Sequence, residues 1–292
     1  MALALPVDSG PHCHYFSPSM LDDAVRHILD RPHPRVLWLT GAGVSAESGI
    51  PTFRGREGYW SVGSRNYHPQ ELATWAAFQR MPEEVWSWYL YRRGVCRAAQ
   101  PNTAHRALVR AERRAGRRFL LITQNVDGLH LRAGNTPERT YQIHGNIDLL
   151  RCSRECLPGP LPIPEELPVA WGKGRLLTAE ERALLRCPSC KAWARPHVLW
   201  FDERYDEPNF RFQSSVEAAR RASLVIVVGT TGATSLPMHI ATIAAQRRVP
   251  ILVVNPEPNP FSAIVQRVGM GAFLEGTASQ WVPQIVDALP VG

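Results

Sequence analysis

Lysine is almost missing from this chain: of 33 basic residues only Lys173 and Lys191 are lysines, the rest being arginines. An arginine-for-lysine bias usually follows a GC-rich genome and carries little functional weight. Clustering is missing as well. Short groups such as Arg113-Arg114 and Arg117-Arg118 do not make the basic stripe that a nucleic-acid face requires, so nucleic-acid binding is not indicated. The formal net charge of +7 allows mild attraction of acidic substrates. No segment approaches the ~18 apolar residues of a membrane helix. The opening Met1-Ala-Leu-Ala-Leu-Pro has no basic n-region and too short an apolar run for a signal peptide. These absences predict a cytoplasmic protein without a membrane partner, expected to be a monomer. Cysteine is sparse: Cys13 and Cys96 stand alone, and four others form the close pairs Cys152/Cys156 and Cys187/Cys190. Without a secretion signal, close pairs point to metal rather than to disulfides.

What is present is a chain of 292 residues, 45% hydrophobic, enough for one large core or for a core plus a small satellite module. Four short apolar runs read as buried strands: Val36-Leu-Trp-Leu, Phe119-Leu-Leu-Ile-Thr, Leu224-Val-Ile-Val-Val and Ile251-Leu-Val-Val-Asn. Amphipathic stretches such as Thr103 to Arg114 and Leu236 to Arg247 lie between them, and a short helix fits Leu21 to Leu29. The alternation predicts an α/β fold with a parallel sheet and helices on both faces. Ligands then bind at the C-terminal strand ends. Here these ends carry Thr40-Gly41, Thr123-Gln124-Asn125, Gly229-Thr230 and Asn255. Two stretches break the alternation and read as insertions: residues 56-100, rich in Trp and Tyr and helical in pattern, and residues 151-197, which hold the cysteine pairs. The sheet domain is then discontinuous, over residues 1-55, 101-150 and 198-292.

Four motifs carry chemistry. Gly41-Ala-Gly-Val-Ser-Ala-Glu-Ser-Gly-Ile-Pro-Thr-Phe-Arg-Gly follows the first strand, with glycines that permit a tight turn and close approach to a pyrophosphate, and a helix to aim its amides at it. The acidic residue expected about 20 positions on in a usual dinucleotide fold is missing, so an ordinary strand-to-helix turn fits too. Thr123-Gln-Asn-Val-Asp-Gly-Leu-His130 sets a carboxamide beside a carboxylate, a pair able to bind a primary amide such as that of nicotinamide. By spacing alone a turn or helix cap is the favoured reading. His144-Gly145-Asn146 offers a group that titrates near neutrality and suits general-base work, beside a glycine that would let a substrate chain approach. A lone histidine is more often structural. Cys152-x3-Cys156 and Cys187-x2-Cys190 supply four thiolates for a closed, tetrahedral, structural Zn2+ site with no open position for catalysis.

Taken together, and in this order, the three non-cysteine motifs, the paired cysteines, Gly229-Thr-Thr and Asn255-Pro-Glu resemble the sirtuin family of NAD-dependent protein deacylases over residues 36 to about 280. The resemblance implies a Rossmann-like domain carrying a helical module and a zinc ribbon, with NAD as a consumed co-substrate and acylated-lysine proteins as partners. It places Gly41, Ala42, Gly43, Glu47, Phe53 and Arg54 around the phosphates and the nicotinamide ribose. Ile50, Asn125 and Asp127 fall in the nicotinamide pocket, and Gln124 at the ribose. Gly229, Thr230, Thr231, Asn255 and Ala278 fall on the adenosine half. It implies His144 as the base for a ribose hydroxyl, and nicotinamide, O-acyl-ADP-ribose and free lysine as products. Val198 to Phe201 resembles the strand that pairs with the substrate peptide. Where the family commonly has Phe-Gly-Glu, this chain has Phe201-Asp202-Glu203, and Asp202 adds bulk and charge where the peptide passes. An ADP-ribosyltransferase, or an NAD- or ADP-ribose-binding module, is the alternative on the same scaffold.

One further segment resembles the Tyr-x-x-Arg signature of family members that remove succinyl, malonyl and glutaryl groups. Tyr89 and Arg92 are three apart in a predicted helix from Glu83 to Arg93 and share a face. A phenol and a guanidinium can bind one carboxylate together, and Ala73 stands where a small residue widens the acyl pocket. Acetyl removal is expected as well.

Overall fold

The computed structural model describes residues 21–51, 60–62 and 65–290. Its strands are β1 (Val36–Thr40), β2 (Trp60–Val62), β3 (Arg65–Tyr67), β4 (Phe119–Thr123), β5 (Thr140–Gln142), β6 (Gly145–Cys152), β7 (Leu161–Pro162), β8 (Ala194–Val198), β9 (Leu224–Val228), β10 (Ile251–Asn255) and β11 (Gly271–Glu275). Six form one parallel sheet in the order β11-β10-β9-β1-β4-β5. The four apolar runs read from the sequence are its four central strands. All of β1 and β9 is buried, as a parallel strand covered on both faces must be.

Alternate side chains divide between two cores. Val36, Trp38, Leu224, Ile226, Val228, Leu252 and Val254 face one way, against the helices Asp23–Leu29, Thr103–Ala115 and Ala278–Ala288. Leu37, Leu39, Val225, Val227, Ile251 and Val253 face the other, against Phe212–Arg221, Ser235–Gln246 and Pro260–Val268. The period of two makes this division automatic once the strands lie side by side. Strand order reverses at β1, whose neighbours are β4 on one side and β9 on the other, so the loops after these strands diverge and leave a crevice at the C-terminal edge.

The residues between the large-sheet segments form a smaller lobe. Residues 60–67 contain a hairpin of β2 and β3, which the helical pattern did not anticipate. Short helices follow at Pro69–Leu72 and Trp75–Arg80, then the 17-residue helix Pro82–Ala98, with Pro82 in its first turn where a missing N–H costs nothing. A three-stranded antiparallel sheet, β7-β6-β8, packs against that long helix. Leu72, Phe78, Trp86, Leu90, Leu150, Trp171, Leu185, Ala194 and Trp200 belong to a single core, so the helical segment and the cysteine-bearing segment bury each other.

Candidate active site

The Gly-rich segment leaves β1 at Thr40 and enters the short helix Gly43–Ala46. Its glycines are required by a neighbouring backbone. Gly43 N donates to Gly229 O at 2.8 Å, and a Cβ on Gly43 would come within 2.7 Å of the Gly229 Cα. The loops after β1 and β9 therefore touch main chain to main chain, which sets the floor of the crevice. Asn102 ties this loop down: its Nδ2 donates to Val44 O at 2.8 Å while its Oδ1 caps the helix Thr103–Ala115.

At the end of β4, Asn125 and Asp127 come together on a residue that sequence reasoning missed. Ser45 Oγ donates to Asp127 Oδ2 at 2.7 Å and accepts from Asn125 Nδ2 at 3.0 Å. With the serine proton committed to the carboxylate, the carboxamide nitrogen must face Ser45, which fixes the amide orientation. All three are buried. Burial raises the Asp127 pKa, opposed by the Leu129 amide at 2.8 Å and by Ser45. Ser45 lies inside the Gly-rich motif, and the signal available was its place there, one turn from a strand end. Ile50 is buried in the small-lobe core beside Val126 and Leu129, close in the fold to this pair.

Gln124 spans the crevice. Its Nε2 donates to Thr230 Oγ1 at 2.9 Å, its Oε1 accepts from Thr234 Oγ1 at 2.9 Å, and its main-chain oxygen accepts from His144 Nδ1 at 2.9 Å. A carbonyl can only accept, so His144 carries its proton on Nδ1 and presents an unprotonated Nε2. That nitrogen accepts from the Tyr205 phenol at 2.7 Å. Burial pushes the His144 pKa down to about 4, with the Gln124 carbonyl pulling the other way, so the ring is neutral at pH 7. Its neighbour Gly145, at φ +86°, has the His197 carbonyl of β8 where a Cβ would stand. The close approach that this glycine permits is that of the chain's own strand.

The other predicted cofactor positions are distributed as follows. Gly229 and Thr230 are buried at the end of β9 and Thr231 is exposed beyond them. Asn255 ends β10, and its Nδ2 donates to Glu257 O at 2.7 Å. Ala278 begins the last helix, where the Ser279 amide donates to Glu47 Oε2 at 3.0 Å. Glu47 and Ala278 are thus brought together, and this carboxylate is held by a helix N-terminus, a favourable place for an anion. Phe53 and Arg54 lie outside the described residues.

On the acyl side, Tyr89 and Arg92 lie on the helix Pro82–Ala98, both buried. Trp200 Nε1 donates to the Tyr89 hydroxyl at 2.8 Å, which leaves the phenolic proton for another acceptor. Burial holds that phenol far above the usual range, so it stays a donor. The Arg92 guanidinium stands 5.3 Å from the Trp88 ring centre. Trp200 is itself held: its amide donates to Glu203 Oε2 at 2.9 Å, Glu203 pairs with Arg195, and the Arg195 guanidinium stacks 3.5 Å over the indole. Ala73 is buried and its carbonyl accepts from Phe201 N at 3.0 Å. Val198 is buried at the end of β8, whereas the Phe201 side chain is 61% exposed, an apolar surface beside the crevice. Asp202 does not project across that surface. Its two carboxylate oxygens accept from the amides of Trp75 and Ala76 at 2.8 and 3.1 Å, the first turn of the helix Trp75–Arg80.

At the far end of the small lobe the four cysteine sulfurs all lie within 4.8 Å of one another, with Cys152–Cys156, Cys156–Cys187 and Cys152–Cys190 separations of 3.4, 3.4 and 3.5 Å. A tetrahedron with Zn–S bonds of about 2.3 Å has edges of about 3.8 Å, so the four donors fit one Zn2+. The turn of residues 152–156, with Glu155 at φ +53°, accommodates the three intervening residues of the first pair.

Comparison with known proteins agrees with this geometry. The Sir2 family model matches residues 41–235. A Leptospira interrogans protein named NAD-dependent protein deacylase is 38% identical over 251 residues, 85% of this chain and 90% of that protein. A Thermus thermophilus protein of the same name is 39% identical over 257 residues, 87% and 91% of the two chains. A Sir2 homologue solved as an NAD complex superposes with a TM-score of 0.74 at 32% identity, covering 95% of this chain and 97% of its own. With the crevice, the neutral histidine and the four-thiol cluster in place, the chain belongs to the Sir2 family.

Proposed function

We propose that this NAD-dependent protein-lysine deacylase acts preferentially on acyl groups that end in a carboxylate (succinyl, malonyl, glutaryl), with acetyl removal as a secondary activity. The observation that carries this reading is the Trp200–Tyr89 hydrogen bond beside Arg92. A buried phenol with its acceptor side occupied can only donate onward, and a buried guanidinium one turn away supplies charge and a second donor. Together they suit a carboxylate and are wasted on a methyl group.

NAD, when bound, supplies a glycosidic bond whose cleavage frees nicotinamide and opens the ribose to the acyl oxygen. Asn125 and Asp127, braced by Ser45, bind the amide of the leaving group, and Ile50 covers its ring. Of the Gly41–Gly43 turn the Ala42 amide is the one on offer to phosphate, since those of Gly41 and Gly43 are taken by the Val228 and Gly229 carbonyls. Gln124 reaches the ribose, and Gly229 to Thr231 with Asn255 and Ala278 hold the adenosine. His144 takes a ribose hydroxyl proton on Nε2 once that hydroxyl replaces the Tyr205 phenol there, and the imidazolium is stabilised by its Nδ1–H bond to the Gln124 carbonyl. Val198 to Phe201 pairs with the substrate peptide, and one Zn2+ on the four cysteines holds the small lobe in shape. The enzyme works as a cytoplasmic monomer on acylated proteins.

Mass spectrometry of products from succinyl, malonyl, glutaryl and acetyl peptides tests the preference. Two charge-assisted hydrogen bonds are worth about 1.5–3 kcal/mol each. Arg92→Met is therefore expected to lower succinyl kcat/KM by at least about tenfold while acetyl turnover stays within a few-fold. Intact succinyl turnover in Arg92→Met would sink the acidic pocket.

A further inference from the structure

Tyr205 belongs to neither the cofactor set nor the acyl pocket, yet its phenol holds the nitrogen through which His144 would act. The hydroxyl donates to His144 Nε2 at 2.7 Å, and the two rings are tilted by 33° with centres 5.7 Å apart. An unprotonated imidazole nitrogen has one lone pair in the ring plane and takes one strong donor. The other ring nitrogen is committed, since Nδ1 donates to the Gln124 carbonyl at 2.9 Å. The ring cannot turn over to offer a second acceptor without giving up that bond. Any other group that is to donate to His144 must first displace the phenol.

The chain around Tyr205 suits it to being displaced. Glu203 is fastened before it, its carboxylate accepting from Arg195 Nη2 at 2.8 Å and from the Trp200 amide at 2.9 Å. Asp206 is fastened after it, its side chain accepting from Asn209 N at 2.7 Å and its carbonyl from Phe212 N at 3.1 Å. Between these anchors the amides of Arg204 and Tyr205 donate to no main-chain carbonyl among the described residues. The Tyr205 ring stacks beside Phe212, with centres 6.3 Å apart, but it is half-buried rather than sealed in the core.

We propose that Tyr205 is a built-in competitor for the nicotinamide ribose: its phenol fills His144 Nε2 in the free enzyme, and a ribose hydroxyl displaces it on binding. This rests on the reading of His144 as the base at that ribose. Binding then exchanges one donor for another at the same nitrogen. The net worth of the protein's own hydrogen bond against water is subtracted from the affinity, a factor of about two to ten. Only a ligand that brings a hydroxyl to Nε2 bears this cost. The contact therefore weakens the hold on the ribose next to nicotinamide and leaves the adenosine half unaffected.

The test uses the full chain loaded with zinc. Tyr205→Phe retains the ring stack on Phe212 and removes only the hydroxyl. In calorimetric titration ADP-ribose, which carries the second ribose, should bind this variant about two- to tenfold tighter than the unaltered chain, and KM for NAD should fall by a similar factor. ADP, which lacks that ribose, should bind both chains equally. The phenol has already left Nε2 in the loaded site, so kcat should stay within about threefold. Equal tightening of ADP and ADP-ribose would overturn the proposal, because it would mean a general opening of the crevice. Unchanged affinity for both ligands would overturn it too. So would a kcat loss of about tenfold or more at unchanged affinity, which would put the phenol in the path of the proton. His144→Ala separates this proposal from the reading it rests on. In that background Tyr205→Phe should no longer change ADP-ribose affinity, and a persisting effect would overturn the competitor. If His144→Ala alone keeps full turnover, the base reading fails, and the comparison of ADP-ribose with ADP still decides for or against the competitor.

Discussion

The six-stranded sheet and the lobe built on β6 and β8 meet at His144, and they reach that junction by different means. In the large lobe β1 pairs with β4 and β9 over five residues each, and apolar layers cover both faces. In the small lobe β7 has only two residues, and the β6–β8 ladder shifts register between Gly145 and Leu150. Its order depends instead on a core rich in tryptophan, on the Arg195–Glu203 pair and on four cysteines at its far end. Regular pairing secures the cofactor side of the crevice, whereas point cross-links secure the acyl side. A short ladder with one continuous partner helix relies on that core and on its cross-links, and a metal that contributes roughly 10 kcal/mol or more of folding energy adds to both.

Removal of the metal is therefore the largest expected effect. Chelation, or Cys187→Ala, should abolish deacylation. In hydrogen exchange the amides of β6, β8 and the helix Pro82–Ala98 should lose protection while those of β1, β4, β9 and β10 keep theirs. Equal loss in both lobes would erase the distinction. Retained activity with full protection would show that the tryptophan core suffices.

The junction itself comes next. His144→Ala should lower kcat by about 10²–10⁴, the usual span for a lost general base, with NAD affinity kept within a few-fold because the Gly43–Gly229 contact and the Ser45 bridge are untouched. Measured by steady-state kinetics and calorimetric NAD titration, a parallel loss of binding would mean that the large lobe does not form its side of the crevice independently.

Acid should distinguish the lobes by a third route. Burial lowers the pKa of His105, His144 and His197 to about 4 and that of His130 well below the ordinary value. The folded chain keeps these rings neutral. As pH falls through about 6.5 the unfolded chain takes up their protons first, so stability drops steadily until about pH 4. Each ring adds a slope of up to about 1.4 kcal/mol per pH unit in that window. Asp127, whose pKa is raised, works in the opposite sense and softens the loss as it takes a proton in the folded state. Three of the four rings, His105, His130 and His144, sit between the large sheet and the crevice, while His197 is in β8. Acid melts followed at both lobes should show the large lobe losing the greater share of its stability between pH 6.5 and 4. A flat profile would mean that the rings are hydrated.

What the sequence makes legible follows the same division. The large sheet is written locally: four apolar runs, each ending in Gly or a small polar residue, predict its central strands and ligand-bearing edge without any tertiary information. The cysteine spacing predicts the thiol cluster just as directly. The edge strand β5 has three residues, Thr-Tyr-Gln, and β11 reads Gly-Ala-Phe-Leu-Glu, so neither shows an apolar run like those of the central four. Gly145 and Gly43 look like concessions to a ligand in sequence, and only the folded chain shows that β8 and Gly229 occupy the space. Ser45, Tyr205 and Thr234 owe their place to partners in distant segments, Asp127 lying 82 residues from Ser45 and His144 lying 61 from Tyr205. No local pattern encodes such pairings.

Asp202 gives the smallest and most discriminating test. In sequence it is a charge set in the path of a substrate peptide. In the fold it is a cap, 127 residues from the Trp75 amide it accepts. The helix Trp75–Arg80 already has Thr74 as its N-cap, whose hydroxyl oxygen accepts from Ala77 N at 3.1 Å. Asp202 satisfies the two preceding donors and adds negative charge at the positive end of the helix, a combination worth about 1 kcal/mol. Asp202→Ala should thus lower the midpoint of small-lobe unfolding modestly, with peptide KM changed by less than about threefold. Asp202→Asn, which keeps an acceptor for one amide, should recover part of the loss. A large drop in peptide KM without any change in stability would reverse the assignment. The carboxylate would then repel substrate from the β8 edge instead of fastening the acyl-side helix to it.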